Sequence, residues 1–239
     1  MGDYNGIGPE VTLKALQKIN FEESTPIWIG HKSVFIYYQN KFSLDVPARE
    51  VTESGSVKPG FVNIYQIGDD LPNPVINPGR VEPDAGKWAM KSVEAGINLS
   101  MQNKSDALVT APISKEAIRL AGYSVPGHTE FLAEKTNTAQ VLMMLVNAKL
   151  RVALVTIHEP LKRVAALIEQ SRIVNRLIVL NDSLKHDFGI EFPKIAVLGL
   201  NPHAGDGGVI GNEEVDIITP AIAEANERGI QAEGTFPGD

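Results

Sequence analysis

The chain has 239 residues, 43% of them apolar and 21% charged, with a formal net charge of −7 and no cysteine. This is the composition of a soluble globular protein that can bury a proper core, and it excludes disulfide frameworks, thiolate nucleophiles and cysteine–zinc sites. The acidic balance speaks against a nucleic-acid surface. With no apolar run near the roughly 18 residues of a membrane span and no charged-then-apolar leader, the expectation is a cytoplasmic protein with no membrane partner.

The chain opens on "GDYNGIGPE" (2–10), which runs into the helix pattern "VTLKALQKI". Pro9 suits a helix start and Glu10 suits a first turn, but the loop does not match the dinucleotide fingerprint. Strands are expected at "PIWIG" (26–30) and "FVNIYQI" (61–67). Segment 68–83 holds four of the fifteen prolines and reads as an extended connector. "DAGKWAMKSVEAGINLSMQ" predicts a helix capped by Asp84, with Trp88, Ala89, Val93 and Ile97 on one face. "ALVTA" (107–111) predicts a strand, and Lys115 after it reads by default as a solvated lysine on the next helix.

A break follows at "GYSVPGHTE" (122–130). Strands are then predicted at "VLMMLV" (141–146), "VALVT" (152–156) and "IAVLGL" (195–200). "SRIVNRLIVLNDSLKHDFG" predicts a helix capped by Ser171, with Ile173, Leu177, Leu180 and Leu184 as its apolar stripe. A last helix, "NEEVDIITPAIAEANERG", contains Pro220, which should kink or split it. The alternation of strands and helices indicates an α/β fold. The break at 122–130 divides the chain into a first α/β domain, 1–125, and a second, 126–239, in which the chemistry concentrates.

Three of the five histidines stand in unusual settings. His158 and His203 each follow a predicted strand, where α/β sheets bind ligands. Neutral imidazoles at two such ends suit one divalent metal ion, and ordinary loop histidines are the alternative. Two ligands are too few, and Asp206, Asp239 or a residue of another chain could complete the set. His128 and Thr129 stand at a helix start, "PGHTEF", after a turn made by Pro126 and Gly127. That place suits an anionic substrate group, or simply an N-cap beside a solvated imidazole. "NPHAGDGGVIG" has four glycines between Ala204 and Gly211, for an anion or for close approach of the main chain.

Taken in order, "GDYNGIGPEV", "APISKEAI", "PGHTEFLAE", "NPHAGDGG" and "FPGD" resemble the 4-hydroxythreonine-4-phosphate dehydrogenase family of pyridoxal phosphate biosynthesis, over essentially the whole chain. The resemblance implies a two-domain α/β fold like that of the isocitrate and isopropylmalate dehydrogenases, with the active site in the cleft between domains. It implies His158 and His203 as metal ligands, His128 and Thr129 as substrate contacts, and Asp239 as an acidic residue near the site with a catalytic role. The implied cofactors are NAD or NADP and one divalent ion, Zn, Mg or Co, and the cofactor-binding residues stay unknown. The implied partners are a small phosphorylated hydroxy-acid substrate and a second subunit, in a homodimer that shares the metal site.

Family members carry a strand before the GD motif. They also continue past "FPGD" into a segment with a third metal histidine, which would complete the first domain. The expectation is therefore a chain truncated at both ends, impaired as an oxidoreductase by itself. The implied reaction is oxidation of 4-phosphooxy-L-threonine followed by decarboxylation to 3-amino-2-oxopropyl phosphate. Three alternatives stand beside it: a dehydrogenase for threonate or erythronate 4-phosphate, an acyl transferase of the phosphate acetyltransferase type, and a non-catalytic binding remnant.

Overall fold

The computed structural model describes residues 1–52, 56–68, 71–125 and 127–238. Their contacts form two compact units, Met1–Thr138 and Ala139–Asp239. Both mix helix and sheet, as the alternating pattern predicts.

The first unit contains α1 (Gly8–Leu16), β1 (Ile27–Gly30), α2 (Lys32–Lys41), β2 (Ala48–Val51), β3 (Val62–Gln66), α3 (Pro83–Met101), α4 (Lys115–Leu120) and α5 (His128–Lys135). Its sheet is parallel, in the order β1-β3-β2. β3 is central, and its Asn63 is fully buried. A buried amide must satisfy its polar atoms. Asn63 does so by donating to the carbonyls of Lys58 and Phe61 and accepting from the Lys58 amide, which ties the entry turn to the strand.

α3 buries the predicted face, with Trp88, Ala89, Val93 and Ile97 all 5% exposed or less. Asp84 is not its cap. The capping position is Glu82, extended and without a side-chain bond, while Asp84 sits in the first turn, where its charge still favours the helix dipole. α4 starts as a capped helix, because Ser114 accepts from the Ala117 amide at 3.2 Å. Lys115, its first residue, is exposed. α5 packs in this unit too: Phe131 joins Met90, Val93, Ile97 and Ile118 in one apolar cluster. The apolar run 107–111 is not a strand. Val109 lies 92% exposed, and the segment crosses from α3 to α4 without sheet hydrogen bonds.

The second unit contains β4 (Met144–Val146), β5 (Arg151–Ala153), α6 (Leu161–Val164), α7 (Gln170–His186), β6 (Lys194–Leu198), α8 (Thr219–Glu227) and β7 (Gln231–Phe236). β4 and β5 form an antiparallel hairpin, so His158 does not follow a strand of a parallel sheet as expected. A two-stranded hairpin needs support from outside. Arg176 of α7 supplies some by donating to the Val141 carbonyl just before β4. Ser171 is likewise not a cap; Glu169 holds that position, extended. The α7 stripe buries Ile173, Leu177 and Leu184 against Ile218, Ile222 and Ala225, with Leu180 only partly buried. β6 and β7 pair in parallel, with α8 in the crossover. Pro220 does not split its helix into two; the helix passes it by a change of winding, with helical dihedrals at Ile218 and Thr219. A π-helical turn, Glu214–Ile218, precedes α8, and Pro220 falls in the first turn of α8, where its missing N–H costs nothing.

Candidate functional site

In the first unit the opening loop is a buried polar hub. Asp3 is 6% and Asn5 2% exposed. The Asp3 amide donates to the Pro112 carbonyl at 3.0 Å, which ties the loop to "APISK". The Asp3 carboxylate accepts from the Asn5 amide at 2.8 Å, while burial pushes its pKa up against that bond. Asn5 then holds the proline-rich connector. Its side chain donates to Glu82 at 2.9 Å and accepts from the Asn77 amide at 2.8 Å, and its carbonyl accepts from the Gly79 amide at 2.7 Å. Gly2 is required here, with φ +69°, and a Cβ would fall 2.6 Å from the Pro112 carbonyl oxygen. Gly2 thus serves close packing, and no phosphate cradle is needed to explain it.

The same "APISK" segment receives the ring of His128. The imidazole bonds to the Ala111 backbone, and its Nε2 is buried with no hydrogen-bond partner among the described residues. Burial lowers the His128 pKa below the ordinary 6.5, and the Ala111 bond only partly opposes this. In a neutral imidazole one ring nitrogen donates and the other accepts, so the tautomer protonated on Nδ1 leaves Nε2 as an acceptor lone pair. A buried acceptor without a partner costs about 1–3 kcal/mol unless something else fills it. His128 is the first residue of α5, and Thr129, the second, is exposed. The capping position is Gly127, so Thr129 is not the N-cap. Pro126 lies outside the described residues.

In the second unit His158 and His203 share an uncommon backbone. Both are left-handed, with φ +56° and +53°, and both are exposed. A non-glycine residue in that region is uncommon and often marks a site held for function. His203 follows β6, a strand of a parallel pair, as predicted. It opens a left-handed run, His203 to Gly207, that sequence reasoning did not foresee. Just before the run lies Glu214, 2% exposed, whose carboxylate accepts from the amides of Leu200 and Asn201, both at 2.7 Å. Burial would raise the Glu214 pKa, but these bonds and that of the Asn201 side chain hold it below the ordinary 4.5. Asp239 lies outside the described residues.

Two exposed imidazoles are suitable donors for a divalent ion. Among the described residues, no three or more histidines or carboxylates gather into a metal cage. His158 and His203 by themselves supply two imidazole donors, fewer than the three protein ligands a catalytic metal site usually takes. No helix among the described residues is long and apolar enough to cross a membrane.

Comparison with known proteins places the chain as a whole. The profile of the family described as "Pyridoxal phosphate biosynthetic protein PdxA" matches residues 22–239. A 4-hydroxythreonine-4-phosphate dehydrogenase of Prosthecochloris aestuarii is 41% identical, over all of this chain and 72% of its own length. A protein of Bradyrhizobium diazoefficiens, provisionally named D-threonate 4-phosphate dehydrogenase, is 35% identical, over all of this chain and 69% of its own. The crystal structure of a 4-hydroxythreonine-4-phosphate dehydrogenase from Klebsiella pneumoniae superposes with a TM-score of 0.89 at 32% identity, covering 99% of this chain and 73% of that one.

Proposed function

The chain belongs to the family of the pyridoxal phosphate biosynthetic protein PdxA, and on that premise we propose that it oxidises 4-phosphooxy-L-threonine with a nicotinamide cofactor, in pyridoxal phosphate biosynthesis. The observation that carries this reading is the family match over residues 22–239. The oxidised product, a β-keto acid, loses carbon dioxide to give 3-amino-2-oxopropyl phosphate. NAD or NADP takes the hydride. The active species is a homodimer.

His158 and His203 would hold a divalent ion, Zn, Mg or Co, with the remaining ligands supplied by a partner subunit or by Asp239. Bound there, the ion would act as a Lewis acid toward the substrate hydroxyl. His128 would contact the substrate through its unpartnered Nε2, which suits a donor such as a hydroxyl or ammonium. Thr129, exposed beside it, would offer its hydroxyl to the phosphate.

The role of His128 gives a pH test. Its pKa is lowered by burial, so the acceptor contact is present above 6.5 and is lost only as pH falls through the lowered value. For His128→Ala, KM is expected to rise about tenfold, the worth of one hydrogen bond to a charged or strongly polar group. The variant should also lose the acid limb of kcat/KM below pH 6.5. A variant with the unaltered pH profile would remove His128 from the substrate contacts.

A second substrate reading rests on the Bradyrhizobium relative. Threonate 4-phosphate carries a hydroxyl where the amino acid carries an ammonium. A site that hydrogen-bonds one polar group discriminates against its absence far more than against a methylene. Turnover on the two substrates should differ at least about tenfold in kcat/KM. A preference for phosphooxythreonine supports the proposal, and a preference for the sugar acid replaces it with the alternative.

A further inference from the structure

We propose that Glu214 is the positioning residue of the His203 loop: its buried carboxylate fixes the left-handed turn that presents the imidazole. The inference rests on the reading of His203 as a metal ligand and extends it to a residue that touches neither metal nor substrate.

Five consecutive residues, His203, Ala204, Gly205, Asp206 and Gly207, have φ between +45° and +77°. Left-handed backbone costs roughly 1–2 kcal/mol per non-glycine residue, and three of these five are not glycine. Such a run does not persist on local preference alone; its surroundings must determine it. Glu214 acts on the run through the strand end that precedes it: it holds Leu200 and Asn201, and the Asn201 carbonyl accepts from the Ala204 amide at 3.1 Å. Oε1 accepts from the Leu200 and Asn201 amides, both at 2.7 Å, at the end of β6. Oε2 accepts from Asn201 Nδ2 at 2.9 Å. The same Nδ2 lies 2.8 Å from Glu213 Oε2, so Asn201 clamps two successive carboxylates.

The turn then closes over this carboxylate. A Cβ on Gly205 would fall 2.7 Å from Glu214 Oε2 and 2.9 Å from the Gly211 carbonyl oxygen. A Cβ on Gly199 would fall 3.1 Å from Glu214 Oε1. The glycines are therefore shaped to Glu214. Glu214 is itself the first residue of the π-helical turn Glu214–Ile218, an element that is rare and frequent at functional sites. A neutral amide in place of the carboxylate would turn a donor toward the Leu200 and Asn201 amides or toward Asn201 Nδ2.

The test uses the full chain with Co2+ as the only added ligand, followed by titration and by its visible absorption bands. Glycine amide NMR signals of the metal-free protein report on the turn separately. For Glu214→Gln, the signals of Gly205, Gly207 and Gly208 should move, and Co2+ affinity should fall roughly 10- to 100-fold, as for a removed support behind a ligand. Asn201→Ala, which removes only the clamp, should produce the same changes at smaller size and keeps the test decisive where Glu214→Gln does not fold. Glycine signals that stay in place in both variants overturn the proposal. So do moved signals with Co2+ affinity intact, provided His203→Ala loses it. If His203→Ala itself retains full Co2+ affinity, the metal reading beneath the proposal is overturned, and the positioning role goes with it.

Discussion

His158→Ala is expected to lose divalent-metal affinity by on the order of 100-fold or more, since even residues behind a ligand commonly cost 10- to 100-fold. Turnover should fall by about 10³-fold. Lewis-acid assistance is worth several kcal/mol, and each 1.4 kcal/mol is tenfold. The backbone argues that the effect will be specific. His158 is exposed and left-handed, so no core packing is lost, and alanine there pays a conformational cost of the same kind. His186→Ala is the control. That residue ends α7, is exposed, and should leave metal affinity unchanged. Equilibrium titration with Zn2+ and Co2+ gives the first number and NAD- or NADP-linked turnover the second. Intact metal binding in His158→Ala, with transfer of an acetyl group to phosphate, would establish the acyl-transferase alternative instead.

How far the sequence speaks for such a site depends on the residue. His128, His158 and His203 could be picked out because an imidazole after a strand or at a helix start is uncommon. The left-handed turn itself was not legible: four glycines after Pro202 announce an anion site or close approach of the main chain, and three of the five left-handed residues, His203, Ala204 and Asp206, are not glycine. Glu214 was not legible. It sits in "NEEV", which reads as a solvated first turn, and glutamate is rarely buried unless paired. Its partners are backbone amides of Leu200 and Asn201, which leave no mark in a one-dimensional pattern. The fold shows the same division. α3 was legible because Trp88, Ala89, Val93 and Ile97 repeat at helical spacing. β2 was missed because "AREV" is a short edge strand with two charged residues, which protects a sheet edge but hides the alternation. α2 was missed because its cap is His31, which accepts from the Ser33 amide, in place of the usual serine or aspartate. The run 107–111 misled because apolar composition marks burial on average, and Val109 is exposed.

Gly86→Ala tests the frame that carries His128. Gly86 lies in α3, where alanine ordinarily improves a helix by about 1 kcal/mol. Here the added Cβ would fall 2.3 Å from the Ala117 carbonyl oxygen and 2.7 Å from the Ile118 amide nitrogen. These are backbone atoms of α4, so no rotamer change can relieve the overlap. α4 must move off α3 and uncover Ala117 and Ile118, which are 0% and 1% exposed. Loss of that burial together with overpacking outweighs the helical gain, for a net destabilisation of about 2–4 kcal/mol. Gly96→Ala in the same helix is the contrast. Its closest contact is the tip of Leu108, a flexible side chain that can turn aside, so the change should be within about 1 kcal/mol of neutral. Chemical denaturation of both variants measures the difference. The displacement also has a functional consequence. α4 is continuous with Ala111 and Pro112, which bond to the His128 ring and the Asp3 amide. Gly86→Ala should therefore raise substrate KM under conditions where the protein remains folded, while Gly96→Ala should not. If Gly86→Ala were as stable as its neighbour, the close contact of α3 with α4 would be wrong, and with it the support assigned to His128.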